Sequence, residues 1–387
     1  MMTTNQLLRI FVFAGASVAA GCSTDDQAGD TTAAFEAAWR LRALTYNAAL
    51  APAFEPYAAE REPWVISALA DAAKHLDLAC VQEFWREPDF ADLRHAIASD
   101  LPYALRPEPR VGAGTCSADE FAPFAECAQS KCSVAGDGLV PCLQEQCTSQ
   151  VQALSGGCVG CLINRLDHLE QCLGTSAEVS DPAIFDGDFD VGLFSRYPML
   201  EMTIQPLDAY LQRGSLLHAE VEIPNLGPVH VFCTHLSSPL GVIPYAGPYH
   251  SWQGEHRRET TQLVDFITLE ANDGAPVLVM GDLNMGFALN GQGGVSEDDF
   301  RELLGRGLED PLLSGGSPAC TECRSNTFHR SDSTEDLVDH LLIAGFPSVP
   351  TSVARAFTSR VSVVSAGNTV STNLSDHYGL RLTMSSR

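Results

Sequence analysis

Three observations on the amino-acid sequence predict an α/β architecture. Apolar runs of strand length alternate with stretches whose apolar residues recur at helical spacing. Several of those runs end on a polar or ionisable side chain. Thirteen cysteines are present, and eight of them crowd into residues 116–172, which points to a covalently stapled block set into the larger fold. With 387 residues, the chain is long enough for one large core plus an added module.

Taken in order, residues 1–21 read as an export signal of the lipoprotein type. Arg9 is followed by an apolar run from Ile10 to Ala20, too short to span a bilayer as a mature helix. Ala19-Ala20-Gly21-Cys22 resembles a bacterial lipobox, which makes Cys22 the expected lipid anchor and residues 22–36 a polar tether. Ordinary signal cleavage near Ala20 is the alternative. The expected location is therefore the periplasm or cell surface, tethered to a membrane, or otherwise outside the cell.

Residues 37–115 form the first part of the main domain. Leu44-Thr45-Tyr46-Asn47 puts an amide at the end of the first strand-like run. Ala59 to Lys74 has helical spacing, and Leu76 to Glu83 is a buried run that ends on a carboxylate. Cys80 lies inside that run, as Cys233 does in a later one. Both read as free thiols, with a bridge between strands as the alternative.

Residues 116–172 contain Cys116, Cys127, Cys132, Cys142, Cys147, Cys158, Cys161 and Cys172. Cysteines five apart suggest short helices tied into a hairpin, although eight thiols permit about a hundred pairings. Cys158-Val159-Gly160-Cys161 and Cys320-Thr321-Glu322-Cys323 have the spacing of zinc half-sites. In an exported chain, disulfides are the better reading. The block either binds a partner or stabilises the fold.

Residues 173–387 complete the main domain. Asp186-Gly187-Asp188-Phe189-Asp190 superficially resembles a calcium loop, but Tyr197 stands where the loop would need Glu, so a polar connection is expected. Val229 to His235 alternates like a strand and ends in histidine. Arg257 to Glu270 reads as an amphipathic helix through Leu263, Phe266 and Ile267. Ala275 to Met280 leads into Gly281-Asp282-Leu283-Asn284-Met285, where strand alternation would aim Asp282 and Asn284 the same way. Asp339 interrupts an apolar run, where an unpaired carboxylate would be expensive. Leu374-Ser375-Asp376-His377-Tyr378-Gly379 supplies an adjacent Asp-His near the C-terminus.

Singly, His235 or His377 would be an ordinary core histidine and Glu83 a structural hydrogen bonder. The order Asn47, Glu83, His235, Asp282-x-Asn284, Asp339, Asp376-His377 resembles the endonuclease/exonuclease/phosphatase superfamily. Gly192-Leu193-Phe194-Ser195-Arg196-Tyr197-Pro198 and Arg213-Gly214-Ser215-Leu216-Leu217 resemble the intervening strands. The resemblance covers roughly residues 40–115 and 173–385. It implies a four-layer sandwich, in which two mixed β-sheets pack face to face with helices outside. It also implies a Mg²⁺-dependent phosphodiesterase, with Mn²⁺ as the other ion such a site accepts.

Carried over residue by residue, Glu83, Asn47 and Asp376 would serve the metal. Asp282 and Asn284 would position the attacking water, with Asp282 as proton acceptor. His377, held by Asp339, would donate to phosphate oxygens, its use as base being the alternative. His235 would contact phosphate and protonate the leaving group.

Within the superfamily, Leu-Val-Asp339-His340 stands where AP endonucleases carry Arg-x-Asp-Tyr. The Trp-x-Asp-Arg run of inositol 5-phosphatases is missing. Cys233-Thr234-His235-Leu236, followed by Tyr245, Glu255, Arg257 and Gln262, is more similar to neutral sphingomyelinases and their bacterial relatives. That makes a phospholipid such as sphingomyelin the leading substrate. Val242, Ile243, Pro244, Tyr245, Tyr249 and Trp252 form a rim loop beside His235 that either touches lipid or packs as a lid.

Lys and Arg total 23 against 49 acidic residues, a formal net charge of −26. Such a surface repels polyanions and argues against tight nucleic-acid binding. The rivals are a secreted nuclease of the same fold and a catalytically inactive surface protein that binds a partner.

Overall fold

Fully buried apolar side chains on alternate strand positions build the centre of the molecule. The computed structural model describes residues 38–51, 55–108, 116–132, 139–164, 169–173, 189–239, 243, 245–289, 291, 294–314, 319–329, 334–347 and 351–386. The export signal, Cys22, the tether, Asp186 to Asp188, Val242 and Pro244 lie outside the described residues. No described helix is long and apolar enough to cross a membrane.

One sheet has six strands in the order β10(Thr351–Ala356), β13(Gly379–Ser385), β1(Arg40–Asn47), β2(Leu78–Gln82), β4(Gly192–Ser195) and β3(Tyr103–Leu105). The other has five, in the order β5(Met199–Pro206), β6(Ser215–Ile223), β7(Gly227–His235), β8(Val277–Asp282) and β9(Asp339–Ala344). A separate hairpin pairs β11(Arg360–Ser365) with β12(Asn368–Asn373). Each large sheet contains one parallel pair among the described residues, β1 with β2 and β7 with β8, inside otherwise antiparallel neighbours.

The sheets pack face to face. Leu41, Ala43, Leu78 and Leu382 of the first meet Leu217, Ala219, Val231 and Met280 of the second in one buried cluster. Residues of opposite parity point outward under helices. Helices α1(Ala58–Ala73) and α2(Glu87–Ile97) cover the six-stranded sheet through Val65, Leu69, Phe90 and Leu93. Helices α7(Trp252–Glu270) and α8(Glu297–Leu304) cover the other through Leu263, Phe266, Phe300 and Leu303. The result is two mixed sheets flanked by helices, the four-layer arrangement expected.

Cys80 of β2 and Cys233 of β7 face each other in this core and form a disulfide across the sheets. The free-thiol reading is therefore corrected. Two inward-facing cysteines on opposed strands are brought to bonding distance by the sandwich itself, which sequence alone does not reveal.

The remaining described cysteines pair locally. Helices α3(Ala118–Lys131) and α4(Leu139–Gln146) are cross-linked by the nested bonds Cys127–Cys147 and Cys132–Cys142, an antiparallel hairpin. After the single turn α5(Thr148–Val151), α6(Gly156–Asn164) is held by Cys116–Cys158 and Cys161–Cys172. Ser117 and Glu120 form a capping box on α3, and Glu120 also accepts from the backbone N–H of Ser155, which ties α3 to the start of α6. The two ends of the block meet where Cys116 N–H donates to Cys172 C=O.

The block shares its apolar core with Tyr210, Leu211 and Ile243 of the main domain. Cys320–Cys323 closes a small loop after α9(Pro311–Ser314).

Candidate active site

Strand register assembles the first part of the site. His235 ends β7, Asp282 ends β8 and Asp339 begins β9. They are paired partners across three neighbouring strands, His235 with Asp282 and Asp282 with Asp339. In-register residues on adjacent strands point to one face, here the face turned toward the other sheet. Asn47 ends β1 and Glu83 follows β2, so the parallel pair of each sheet delivers two side chains to the same place.

Gly281 permits the close approach of these strands. A Cβ at that position would lie 2.1 Å from the Thr234 carbonyl oxygen.

Asp282 is the hub. Its Oδ2 accepts from Asn47 Nδ2 at 3.0 Å and lies 3.6 Å from His235 Nε2 and 3.7 Å from His377 Nε2. Each histidine is backed by its own carboxylate. His377 Nδ1 meets Asp339 Oδ2 at 2.7 Å, and His235 Nδ1 meets Asp190 Oδ2. Asn47 Nδ2 also donates to Glu83 Oε1 at 3.0 Å, while its Oδ1 accepts from Ala49 N–H, so this amide ties two carboxylates together. Asn284 N–H donates to Asp282 Oδ1, and Asn284 Nδ2 donates to Leu236 C=O. Asp376 Oδ1 is 3.9 Å from His377 Nε2, and Glu322 Oε1 is 3.3 Å from the same atom.

The loops that carry these groups are held by buried donors. Arg61, fully buried in α1, donates to the carbonyls of Ala48, Ala49, Pro56 and Leu374, which links the end of β1 to the loop bearing His377. Asn326 donates to the carbonyls of Ser375 and Asp376, and Ser375 Oγ accepts from His377 N–H. Glu83 and Asn284 have φ of 59° and 48°, in the left-handed region that Asn adopts more readily than Glu.

Negative charge is in excess. Burial pushes the Glu83 and Asp282 carboxyls up, and Asp339 raises Asp282 further, while the two histidines oppose the shift. For His235, burial favours the neutral ring, yet the charge and hydrogen bond of Asp190, with Asp282 and Glu83, carry it up to about 10. Burial likewise opposes charge on His377, and Asp339, Asp376 and Asp282 overcome it. The neighbouring carboxylates thus favour the imidazolium form of both rings.

Asp339 Oδ1 is buried without a hydrogen-bond partner. Asp282 and Asp339 bring carboxylate oxygens within 4.8 Å of each other. Crowded carboxylate oxygens with an orphaned buried acceptor suit a hard divalent cation.

All eight residues singled out in the sequence gather here: Asn47, Glu83, His235, Asp282, Asn284, Asp339, Asp376 and His377. Strand alternation does not place Asn284, because β8 ends at Asp282 and the chain turns through a positive φ. Asp190, expected in a polar connection, and Glu322 join the site without a strand-end signal in the sequence. Asp190 stands two residues before β4, and Glu322 lies between two cysteines. Two described aromatics of the rim loop are packed. Tyr245 and Trp252 contact each other and Tyr210, and Trp252 Nε1 donates to Ile243 C=O.

Comparison with known proteins bears on the family and the fold. The Endonuclease/Exonuclease/phosphatase family matches residues 44–377. No curated protein matches the sequence. Among solved structures, SmcL is similar with a TM-score of 0.56 and 13% identity, over 90% of this chain and 99% of that one. Sphingomyelinase C from Streptomyces griseocarneus gives 0.53 and 16%, over 89% and 99%. A double mutant of beta toxin from Staphylococcus aureus, with bound magnesium ions, gives 0.53 and 14%, over 88% and 98%. At these identities the likeness is one of fold.

Proposed function

The chain belongs to the endonuclease/exonuclease/phosphatase family, whose members hydrolyse phosphoesters, and from that premise we propose an exported, membrane-tethered, Mg²⁺-dependent phosphodiesterase acting on a phospholipid such as sphingomyelin. The observation that carries the reading is Asp282 Oδ2 set between two histidines, each charged by a carboxylate of its own.

Glu83 would hold the metal, with Asn47 fixing its carboxylate and Asp376 adding charge from the loop. Bound Mg²⁺ supplies charge neutralisation for the phosphate. Asp282 accepts the proton of the attacking water, and Asn284 keeps that carboxylate turned by donating its backbone N–H to Oδ1. His377, kept charged by Asp339, donates from Nε2 to a non-bridging oxygen. His235, kept charged by Asp190, donates from Nε2 to the leaving oxygen.

The lipid substrate is supported by the net charge of −26, which repels a polyanion, and by a fold shared with a sphingomyelinase C. The anchor at Cys22 would hold the enzyme near such a substrate.

The test is a parallel assay of the chain from Ser23 onward against sphingomyelin vesicles, phosphatidylcholine vesicles and DNA, each with Mg²⁺ and with chelator. Chelator-sensitive release of phosphocholine without DNA cleavage is expected, and DNA cleavage alone would overturn the lipid assignment. Asp282→Ala and His377→Ala should each lower the rate by roughly 10²–10⁴-fold. Full activity in either variant would sink the site assignment.

A further inference from the structure

Five ionisable side chains meet at the end of the five-stranded sheet remote from Asp282. His218 and Glu220 come from β6, and His230 comes from β7. Glu270 closes α7, and Asp273 lies in the turn before β8. Glu220 is the direct cross-strand partner of His230. Five residue steps along β7 separate His230 from His235, about 16 Å of strand. Alternation sends His218, Glu220 and His230 to the helix-covered face, opposite to Cys233 and His235.

The imidazoles stack, with His218 Nε2 2.9 Å from His230 Nδ1. At one end of the pair, His230 Nε2 is 3.0 Å from Asp273 Oδ1. At the other, His218 Nδ1 is buried, has no hydrogen-bond partner, and lies 3.4 Å from Glu270 Oε2. Two neutral imidazoles carry two ring hydrogens for these three contacts. If the hydrogens point toward Asp273, His218 Nδ1 is a bare lone pair facing a carboxylate. If they point toward Glu270, His230 Nε2 is a bare lone pair facing Asp273. Either way one ring nitrogen presents a lone pair to a carboxylate, a gap that a cation can fill.

A metal ion completes the second arrangement. Glu220, His230 and Asp273 each offer a ligand atom, all within 4.8 Å of one another. The Asp273 side chain is 52% exposed, which leaves a path from solvent. Behind the ligands, His230 would donate to His218 and His218 to Glu270, which Thr203 Oγ1 holds in place. A ligating histidine backed through its second nitrogen in this way is fixed in tautomer and orientation.

We propose that Glu220, His230 and Asp273 form a second cation site, separate from the phosphoester site, that takes a divalent ion of the zinc class. One imidazole nitrogen with two carboxylate oxygens is a borderline donor set, whereas Mg²⁺ and Ca²⁺ prefer oxygen alone. The ion pins the turn after α7 to β6 and β7.

The test uses the full chain, stripped with chelator and dialysed against micromolar zinc chloride in millimolar magnesium chloride. Bound zinc is counted by metal analysis, and melting temperature is read with and without zinc. His230→Gln should lose one equivalent of zinc. Asp273→Asn changes a half-exposed turn residue whose loss does not threaten folding. It should weaken zinc binding by about tenfold or more and remove the zinc-dependent rise in melting temperature. His377→Ala should retain the equivalent, which separates this site from ions held near Asp282. Zinc stoichiometry and affinity unchanged in both His230→Gln and Asp273→Asn would overturn the proposal, as would a wild-type chain that binds no zinc under these conditions.

Discussion

Asp190 touches nothing that reacts, yet it sets the charge of His235. Replacing it with Asn keeps an acceptor for Nδ1–H but removes the negative charge that holds the ring protonated against burial. Asp190→Asn is expected to lower His235 from about 10 toward the ordinary histidine range and to slow hydrolysis by roughly 10²-fold, within the usual scale of acid catalysis. The histidine titration followed by NMR reads the first effect. A double-mutant cycle with His235→Gln reads the second, and the double variant should be no slower than His235→Gln alone.

Glu259 offers a pH test at the same scale. It accepts from Ser237 N–H and Oγ beside Leu236, and burial, helped by Glu255, pushes its carboxyl from 4.5 up to about 7. The folded chain thus holds this proton more tightly than the unfolded chain. Its contribution to stability is complete below about pH 4.5 and is lost as pH rises to about 7. Glu259→Gln should flatten that slope, leaving stability at acid pH unchanged and raising it at pH 8, as denaturation midpoints across that range would report. An unchanged slope would remove Glu259 as its source.

At the scale of elements, one helix holds two strand ends together. Nothing in the spacing of α1 separates Arg61 from a solvent-facing arginine, yet it is buried and satisfies carbonyls of Ala48, Ala49 and Leu374. Arg61→Met would leave those acceptors buried and unpaired, a cost of several kcal/mol at about 1–3 kcal/mol each. The urea midpoint should fall, and activity in water should fall further than the folded fraction does, because Asn47 and His377 would lose their common brace. Activity that tracks the folded fraction would show the brace to be structural only.

Elements were largely legible in the sequence. The helices expected at Ala59 to Lys74 and Arg257 to Glu270 correspond to Ala58–Ala73 and Trp252–Glu270. The second begins earlier because Ser251 caps it, accepting from Gly254 N–H. Strand-end residues were readable because alternation and burial leave few places for a carboxylate or histidine. Asp190 and Glu322 were not, because they sit in connections that only the closed sandwich brings to His235 and His377. The parity argument failed at Asn284 because a strand's period ends where its φ turns positive.

For the whole molecule, the sandwich is held by its apolar interior and by one covalent tie, Cys80–Cys233, across 153 residues. Replacing both cysteines with alanine is expected to cost roughly 2–5 kcal/mol, mainly by freeing the unfolded chain, and calorimetry under non-reducing conditions measures it. The pairing could not be read from sequence, since each cysteine alone resembles a small core hydrophobe.

That tie also encloses the whole Cys-rich block and both its junctions. A protease that cuts once anywhere between residues 81 and 232 therefore severs the polypeptide without releasing either piece. The nicked product should migrate as a single species until reductant is added, and only then separate into two fragments.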